Sequence, residues 1–440
     1  MLHKSLMFFK NKNRGSNFGN ANALLISIMI AIFLGFLVGG VFPNLALKFS
    51  IFGEIFLNIL MMLVVPMVIL SMLVGISKLD NLRSLGKIGS KTLAYYLSTT
   101  AISVCLGIIL VNLIQPGSGL NIQLPDDSNQ YISKSTAISE TLKQLIVGNP
   151  EQEQQGLIAY NLFLAMAKMD ILPLIVFSLF FGAALSSLGK KAKKTIQFLS
   201  VLNDGIMQLV NWVMYIAPLG IFGLITARIG KAGGYEGFLP ELISLGKFSL
   251  TVLLGLSIHA LLVLCLLLKF IGKRNPISFA KGVATALMNA FSTASSTATL
   301  PLTLQGVQQQ NKISKKTSNF VLPLGATINM DGTAIYEAVA AIFIAQLYGL
   351  ELSFAQQTII FLTATLAAIG AAGIPEAGLV TMVIVLKAVH LPIEGIGLIL
   401  TIDWLLDRFR TTVNVWGDSV GAAIIERYEN KETTSGEMVS

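Results

Sequence analysis

The chain has 440 residues, of which 54% are hydrophobic and only 12% charged, with a mean hydropathy of +0.72 and a net charge of +8. A soluble domain carries about 25% charged residues, so this composition leaves too little polar surface for a water-soluble globule and points to an integral membrane protein. The apolar runs are about twenty residues or longer, against roughly ten for a barrel strand, which selects spanning helices over a β-barrel.

In chain order, the first apolar run covers 22–43 and lacks the small-residue cleavage site of a secretion signal, so it reads as a span. Further spans are predicted at 50–76, 92–115, 158–187, 196–227 and 241–271. Basic residues alternate between the gaps. Lys4, Lys10, Lys12 and Arg14 precede the first span, and Lys78, Arg83, Lys87 and Lys91 occupy the second gap. Lys190, Lys191, Lys193 and Lys194 fill a later gap, and Lys269, Lys273, Arg274 and Lys281 the next even one. The intervening gaps are poorer, and the one at 116–157 carries Asp126, Asp127, Glu140, Glu151 and Glu153. Lys and Arg concentrate in cytoplasmic loops, so the N-terminus is expected inside, and the net charge needs no nucleic-acid partner. Cys105 and Cys265 lie within apolar runs and read as packing thiols, not as a disulfide or metal cluster. His259 and His390 have no second ligand at metal spacing and read equally plainly, as does the packing run MMLVVPM at 61–67. Pro66 and Pro173 predict helix kinks.

Beyond 275 the pattern changes. Residues 282–303, GVATALMNAFSTASSTATLPLT, are apolar but rich in Ser and Thr and end near Pro301; residues 363–390 carry Gly370, Gly373, Pro375 and Gly378 at their centre. Both read as hairpins that enter the membrane and return on the same side, because irregular backbone at that depth needs protein or a water-filled cavity around it. Lysines on both flanks of the first, Lys281 before it and Lys312, Lys315 and Lys316 after it, agree. Each hairpin precedes an apolar segment that is expected to be broken by a polar cluster, ATINMDGTAIYEA at 326–338 and TTVNVWGDSVGAA at 411–423. A plan repeated in two halves points to a transporter's binding site; chance recurrence of small residues at helix packing faces is the plainer alternative.

The charges favour the first reading. Positions 403, 407, 411, 414 and 418 share one helical stripe with Arg410 at its flank. A charge at the bilayer centre costs roughly 2.5–3.5 kcal/mol or more, so the stripe must face protein or an aqueous cavity. An Asp407–Arg410 ion pair satisfies part of it. Asp403, Asp407, Asn414 and Asp418 nevertheless supply more oxygen than two arginines need, which suits a hard cation such as Na⁺. The guanidinium offers a planar fork to a carboxylate. An anionic organic solute travelling with cations fits both. An intramembrane enzyme is disfavoured, since no Ser–His or Cys–His pairing, metal-ligand spacing or phosphate loop is present, and a dedicated channel would not need two hairpin gates.

STASSTATLP (292–301), NMDGT (329–333), AAIGAAGIPEAG (367–378) and DRFRTTVNVWGD (407–418) together resemble the dicarboxylate/amino acid:cation symporter family of glutamate and aspartate transporters, from the first span to Glu429. The resemblance implies an all-α polytopic membrane protein, a homotrimer whose protomer has eight transmembrane helices, two re-entrant helical hairpins and internal inverted repeats, working as an elevator. It implies a cytoplasmic basic N-terminus at 1–20, scaffold helices at 21–76 and 135–231, and a transport domain from 88–115 and 240–428. Within the latter, hairpin 1 would be 276–309, helix 7 316–349, hairpin 2 354–390 and helix 8 393–428, with a cytoplasmic tail at 429–440. Arg410 would hold the side-chain carboxylate of L-glutamate or L-aspartate and Asp407 the amino group. Thr411, Asn414, Thr333, Ser295, Ser296 and the segment from Ile374 to Gly378 would complete the pocket. One sodium ion would use Gly325, Asn329, Asn414 and Asp418; a second Thr327, Met330 and backbone at Ala368, Ile369 and Ala371; a third Tyr96, Thr99, Thr100, Asn329 and Asp331. No cofactor beyond the coupling ions is implied.

Three departures from the family pattern stand out. Ala294 occupies a position where some prokaryotic relatives carry Arg, while Arg408 stands on the last helix as in the animal excitatory amino acid transporters. Thr297 replaces a serine, and Glu376 a glutamine. Glu337 is a position that in animal carriers is a glutamate linked to proton symport and potassium counter-transport; burial favours the protonated form of a carboxyl, and a passive packing role is the alternative. Arg410 disfavours neutral substrates, whose binding would leave its charge unpaired. Proton-only coupling and a dicarboxylate substrate remain open. The short segment between the third and fourth spans and the compact tails suggest a bacterial inner membrane.

Overall fold

The computed structural model describes residues 26–77, 87–120, 148–149, 154–155, 158, 160–168, 171–370 and 377–437. In chain order these form α1 (Ile26–Val41), α2 (Pro43–Ala46), α3 (Ser50–Ser77), α4 (Lys87–Ile114), α5 (Leu162–Lys168), α6 (Ile171–Ser187), α7 (Lys193–Lys231) and α8 (Tyr235–Ile258). Two π-helical turns, His259–Val263 and Leu267–Ile271, flank the short α9 (Leu264–Leu266). Then come α10 (Pro276–Thr293), α11 (Ser296–Gln305), α12 (Lys315–Ile328), α13 (Asp331–Leu347), α14 (Phe354–Gly370), α15 (Ala377–Ala388) and α16 (Ile396–Glu437). Among the described residues the regular structure is helical apart from a two-residue antiparallel pair, Gly148–Asn149 with Gln154–Gln155. Among the described residues, Pro43–Val74, Ile88–Ile114, Tyr235–Ile271 and Lys315–Leu347 are each long and apolar enough to cross a bilayer, and the bent pair within Lys193–Lys231 makes a fifth.

The chain divides into two compact units. The first comprises Met1–Met62, Gln208–Leu242 and Ile396–Trp404. Its helices approach closely through small residues: a methyl group on Gly39 would sit 2.8 Å from Ile229 Cβ, and one on Gly220 2.4 Å from Phe56 Cβ. The Arg228 guanidinium donates to both oxygens of Glu241 at 2.7 and 2.9 Å.

The second unit comprises Leu63–Met207, Ile243–Gly395 and Leu405–Ser440. Its centre is α13, where every residue from Asp331 to Ala345 is buried. A helix apolar on all sides belongs in a core, and α13 packs along α4 and against α14 and α15. The first hairpin forms because its sequence both stops and restarts a helix. Asn275 caps α10 by accepting from Ser278 N, and Pro276 occupies the first turn. α10 ends where Ala294 turns left-handed (φ 49°), and Ser295 caps α11 by accepting from Ala298 N at 3.1 Å. α12 is capped by Ser314 and ends at Asn329 (ψ 79°); α13 restarts after Met330, so the chain is broken at Asn329–Met330 as expected.

The second polar cluster behaves differently from expectation. α16 runs unbroken for 42 residues through TTVNVWGDS. Asn414 and Asp418 find partners on other segments, and Ser419 Oγ donates one turn back to Val415 O, so none of these side chains takes a backbone N–H from the helix. Pro66 lies inside α3, but Pro173 falls in the first turn of α6, where a missing N–H disturbs nothing.

Candidate substrate and cation site

The residues predicted for the site that are described lie in the second unit, on α4, the α10–α11 turn, α12, α13, α14, α15 and α16. Ala371, Ile374 and Glu376, and the side chain of Ile369, lie outside the described residues. Asp403, the first residue of the charge stripe, is buried but falls in the first unit.

Arg410 is fully buried. Its Nη2 donates to Asp407 Oδ1 at 2.8 Å, and its guanidinium carbon stands 3.8 Å from the centroid of Tyr336. The guanidinium thus lies over an aromatic face, where a cation is attracted. Gly378 lies against it, since a methyl there would be 2.9 Å from Nη1, and Gly332 lies against its backbone, with a methyl 2.6 Å from the carbonyl oxygen. Gly378 thus lets α15 approach the guanidinium, and Gly332 lets α13 approach the α16 backbone. Thr411, next to Arg410 in the chain, and Thr333 on α13 are buried, and Asn414 joins α16 to α13: its Oδ1 accepts from Gly332 N at 2.7 Å, and its Nδ2 meets Met330 Sδ at 3.2 Å and Thr333 Oγ1 at 3.4 Å. Glu337, fully buried one turn beyond Thr333, is acted on by the Thr381 hydroxyl and the Arg410 charge.

The first hairpin abuts α16. Arg408 Nη1 donates to the carbonyls of Phe291 and Ser292 at 2.9 and 2.6 Å, Phe291 packs edge-on against Phe409, and Ala286 and Ala290 pack against Val415. Arg408 thus satisfies carbonyls at the C-terminal end of α10, where a cation is favoured. Ser295 and Ser296 are buried at that turn; the Ser295 hydroxyl oxygen is engaged as the α11 cap.

A second cluster surrounds the helix break. Asn329 donates to Asp418 Oδ1 at 3.0 Å and accepts from Thr99 Oγ1 at 3.3 Å. Asp331 accepts from Thr100 Oγ1 at 2.8 Å. Tyr96 OH donates to Val321 O at 2.8 Å, and Gly325 faces both Asp418 and Tyr96, its added methyl lying 2.3 Å from Asp418 Oδ1 and 2.5 Å from Tyr96 OH. Thr327 Oγ1 donates to Leu324 O at 3.0 Å, and Ala368 is fully buried. Gly325, Asn329, Asp418, Tyr96, Thr99, Thr100 and Asp331 are therefore brought together, with Met330 and Asn414 linking them to the Arg410 cluster. Among the described residues of the second unit Asp331, Glu337, Asp407, Asp418 and Glu426 are buried, while Arg410 is the only buried Lys or Arg.

A family model described as the sodium:dicarboxylate symporter family matches residues 24–428. The chain belongs to this family. It is 40% identical to excitatory amino acid transporter 3 of Mus musculus over 93% of the chain and 86% of that protein. It is 38% identical to excitatory amino acid transporter 1 of Ambystoma tigrinum, over 94% and 83%, and 38% identical to excitatory amino acid transporter 2 of Homo sapiens, over 93% and 80%. This family member is a multi-pass helical membrane transporter and not an enzyme.

Sequence reasoning missed four participants. His259 Nε2 lies 2.9 Å from Asp331 Oδ2, Tyr336 carries the Arg410 guanidinium, Tyr95 OH donates to Gly417 O at 3.1 Å, and Trp416 Nε1 donates to Ala260 O at 3.1 Å. One signal existed: a lone imidazole in an apolar run is costly to bury without a hydrogen-bond partner, which should have prompted a search among the buried carboxylates.

Proposed function

We propose that the chain is a secondary active symporter that imports L-glutamate or L-aspartate on a sodium gradient, with proton co-transport and potassium counter-transport. The observation that carries this is the imbalance of buried charge: besides Glu426, which accepts from Ser314, the second unit buries four carboxylates, Asp331, Glu337, Asp407 and Asp418, and among the described residues one arginine. Uncompensated buried carboxylates cost several kcal/mol each, so such a site calls for added cations or protons. Arg410, over the Tyr336 ring and bonded through Nη2 to Asp407, is a planar fork of the kind that an acidic substrate's side-chain carboxylate fits. Asp407 would take the substrate amino group, and the oxygens around Asn329, Asp331 and Asp418 would take sodium. The excitatory amino acid transporter names of the relatives support the substrate class.

The finer architecture follows the same reading: eight spans, two re-entrant hairpins in inverted repeats, a homotrimer held by a scaffold, and a transport domain that moves across the bilayer as an elevator. The alternation of lysine-rich gaps supports cytoplasmic termini in a plasma membrane; a bacterial inner membrane rests on chain compactness alone, and the named relatives are animal proteins. A second reading, a proton-coupled glutamate/aspartate or dicarboxylate symporter, is favoured by one feature, the fully buried Glu337 beside Arg410.

Uptake of labelled L-aspartate and L-glutamate into proteoliposomes separates the two. An inward Na⁺ gradient is compared with a proton gradient alone, each with and without internal K⁺. Uptake that requires Na⁺ and quickens with internal K⁺ supports the first reading; uptake on protons alone overturns it in favour of the second.

A further inference from the structure

His259 belongs to none of the ligand sets above, yet it is fully buried with its Nε2 2.9 Å from Asp331 Oδ2. The other Asp331 oxygen accepts from Thr100 Oγ1 at 2.8 Å. A carboxylate has no proton to give, so Nε2–H donates, while Nδ1 has no hydrogen-bond partner among the described residues. The opposite tautomer would set two acceptors face to face.

The backbone presents the ring at this point. α8 ends at Ile258 and continues as the π-helical turn His259–Val263, and a π turn inserts an extra residue that re-aims the side chains around it. The turn is anchored from α16: Trp416 Nε1 donates to Ala260 O at 3.1 Å, and Cys265 Sγ reaches the same oxygen at 3.4 Å. Trp416 is two residues from Asp418. One distorted turn therefore contacts α13 and α16, which carry the two carboxylates of the candidate cation cluster, Asp331 and Asp418.

A carboxylate offers about four lone-pair sites. Thr100 and His259 occupy one on each Asp331 oxygen, which leaves one on each oxygen and fixes the plane of the group. We propose that His259 is a positioning residue for cation binding: its Nε2–H, held by the π turn and by Trp416, sets the rotation of the Asp331 carboxylate so that its remaining lone pairs meet a sodium ion beside Asn329, Thr99 and Tyr96. The inference rests on the reading of Asp331 as a cation ligand given above. Partners that hold a ligating group in orientation typically matter 10- to 100-fold for metal affinity.

The test uses the full chain in proteoliposomes, with labelled L-aspartate uptake titrated against external Na⁺. Three variants are compared: His259→Gln, whose amide N–H reaches about as far as Nε2; His259→Asn, which has the donor but is too short; and His259→Leu, which fills the volume without a donor. Half-saturating Na⁺ is expected to rise about tenfold or more in the Leu and Asn variants and by less than about threefold in Gln, the uptake rate recovering as Na⁺ is raised. An unchanged Na⁺ dependence in Leu and Asn overturns the proposal. So does an equal shift in all three variants, or a loss of rate at normal half-saturation, which would mark a merely structural imidazole. If the Leu protein is not monodisperse, the Gln–Asn comparison decides. Uptake by the unsubstituted protein that ignores Na⁺ overturns the functional reading first and this one with it.

Discussion

Replacing Gly325 by alanine is the sharpest test of the cluster at the helix break. The added methyl would lie 2.3 Å from Asp418 Oδ1 and 2.5 Å from Tyr96 OH, both far inside van der Waals contact. Neither group retreats freely: Asp418 Oδ1 accepts from Asn329 Nδ2 at 3.0 Å, and Tyr96 OH is bonded to Val321 O at 2.8 Å. Relief requires moving the carboxylate by about 1 Å, and overpacking of this kind costs about 1–3 kcal/mol. If that cost falls on the cation-bound state, half-saturating Na⁺ rises between about 5- and 150-fold. Gly246, on α8 in the same unit, supplies the control, because nothing lies within 4 Å of its added methyl. Uptake against Na⁺ would be measured for Gly325→Ala and Gly246→Ala, with thermal unfolding of both purified proteins in detergent. A Gly325→Ala protein with normal Na⁺ dependence would refute the assignment of this cluster to a cation, whatever its stability.

Arg410→Lys replaces a stacked planar fork by a point charge; uptake of labelled L-aspartate at a fixed subsaturating concentration should fall at least about tenfold, and near-normal uptake would show that the guanidinium geometry is not what selects the substrate. Glu337→Gln keeps the shape of a fully buried side chain and removes its ionisable group; the variant should lose the response of uptake to proton and internal potassium gradients, and a parental response to both would end the proposed role. Ala294→Gly relieves a left-handed residue at the first hairpin turn, worth about 1–2 kcal/mol, against about 0.4–1 kcal/mol of added unfolded-chain entropy, so a net gain read as a raised unfolding temperature is expected; a lowered value would mean that the turn is not strained.

The elements most legible in the sequence were those whose own residues dictate them. The Ser-rich tip supplies a cap at Ser295 after a left-handed Ala294, and the Asn329–Met330 break falls where polar residues interrupt an apolar run. The unbroken α16 was not legible in the same way, because the motif around Asn414 looks locally like the one around Asn329. The difference lies in where the side chains find partners: Asn414 is satisfied by Gly332 and Met330, more than eighty residues away in the chain. His259 was opaque for a similar reason. Its partner is 72 residues distant, and the π turn that aims it has no sequence mark comparable to a proline or a cap.

The continuity of α16 has a consequence for how two cargoes can depend on each other. At 1.5 Å of rise per residue, Arg410 and Asp418 are carried about 12 Å apart on one rigid rod, a separation that neither ligand can alter. Dependence must then arise in the partners that close around the rod, and Asn414 touches both sides of that problem through Gly332, Met330 and Thr333. A ligand that tightens α13 against α16 at either end prepays part of the ordering needed at the other. In the proposed symport, linkage requires the favour to be returned in equal measure: whatever factor sodium adds to affinity for the amino acid, the amino acid must add to affinity for sodium.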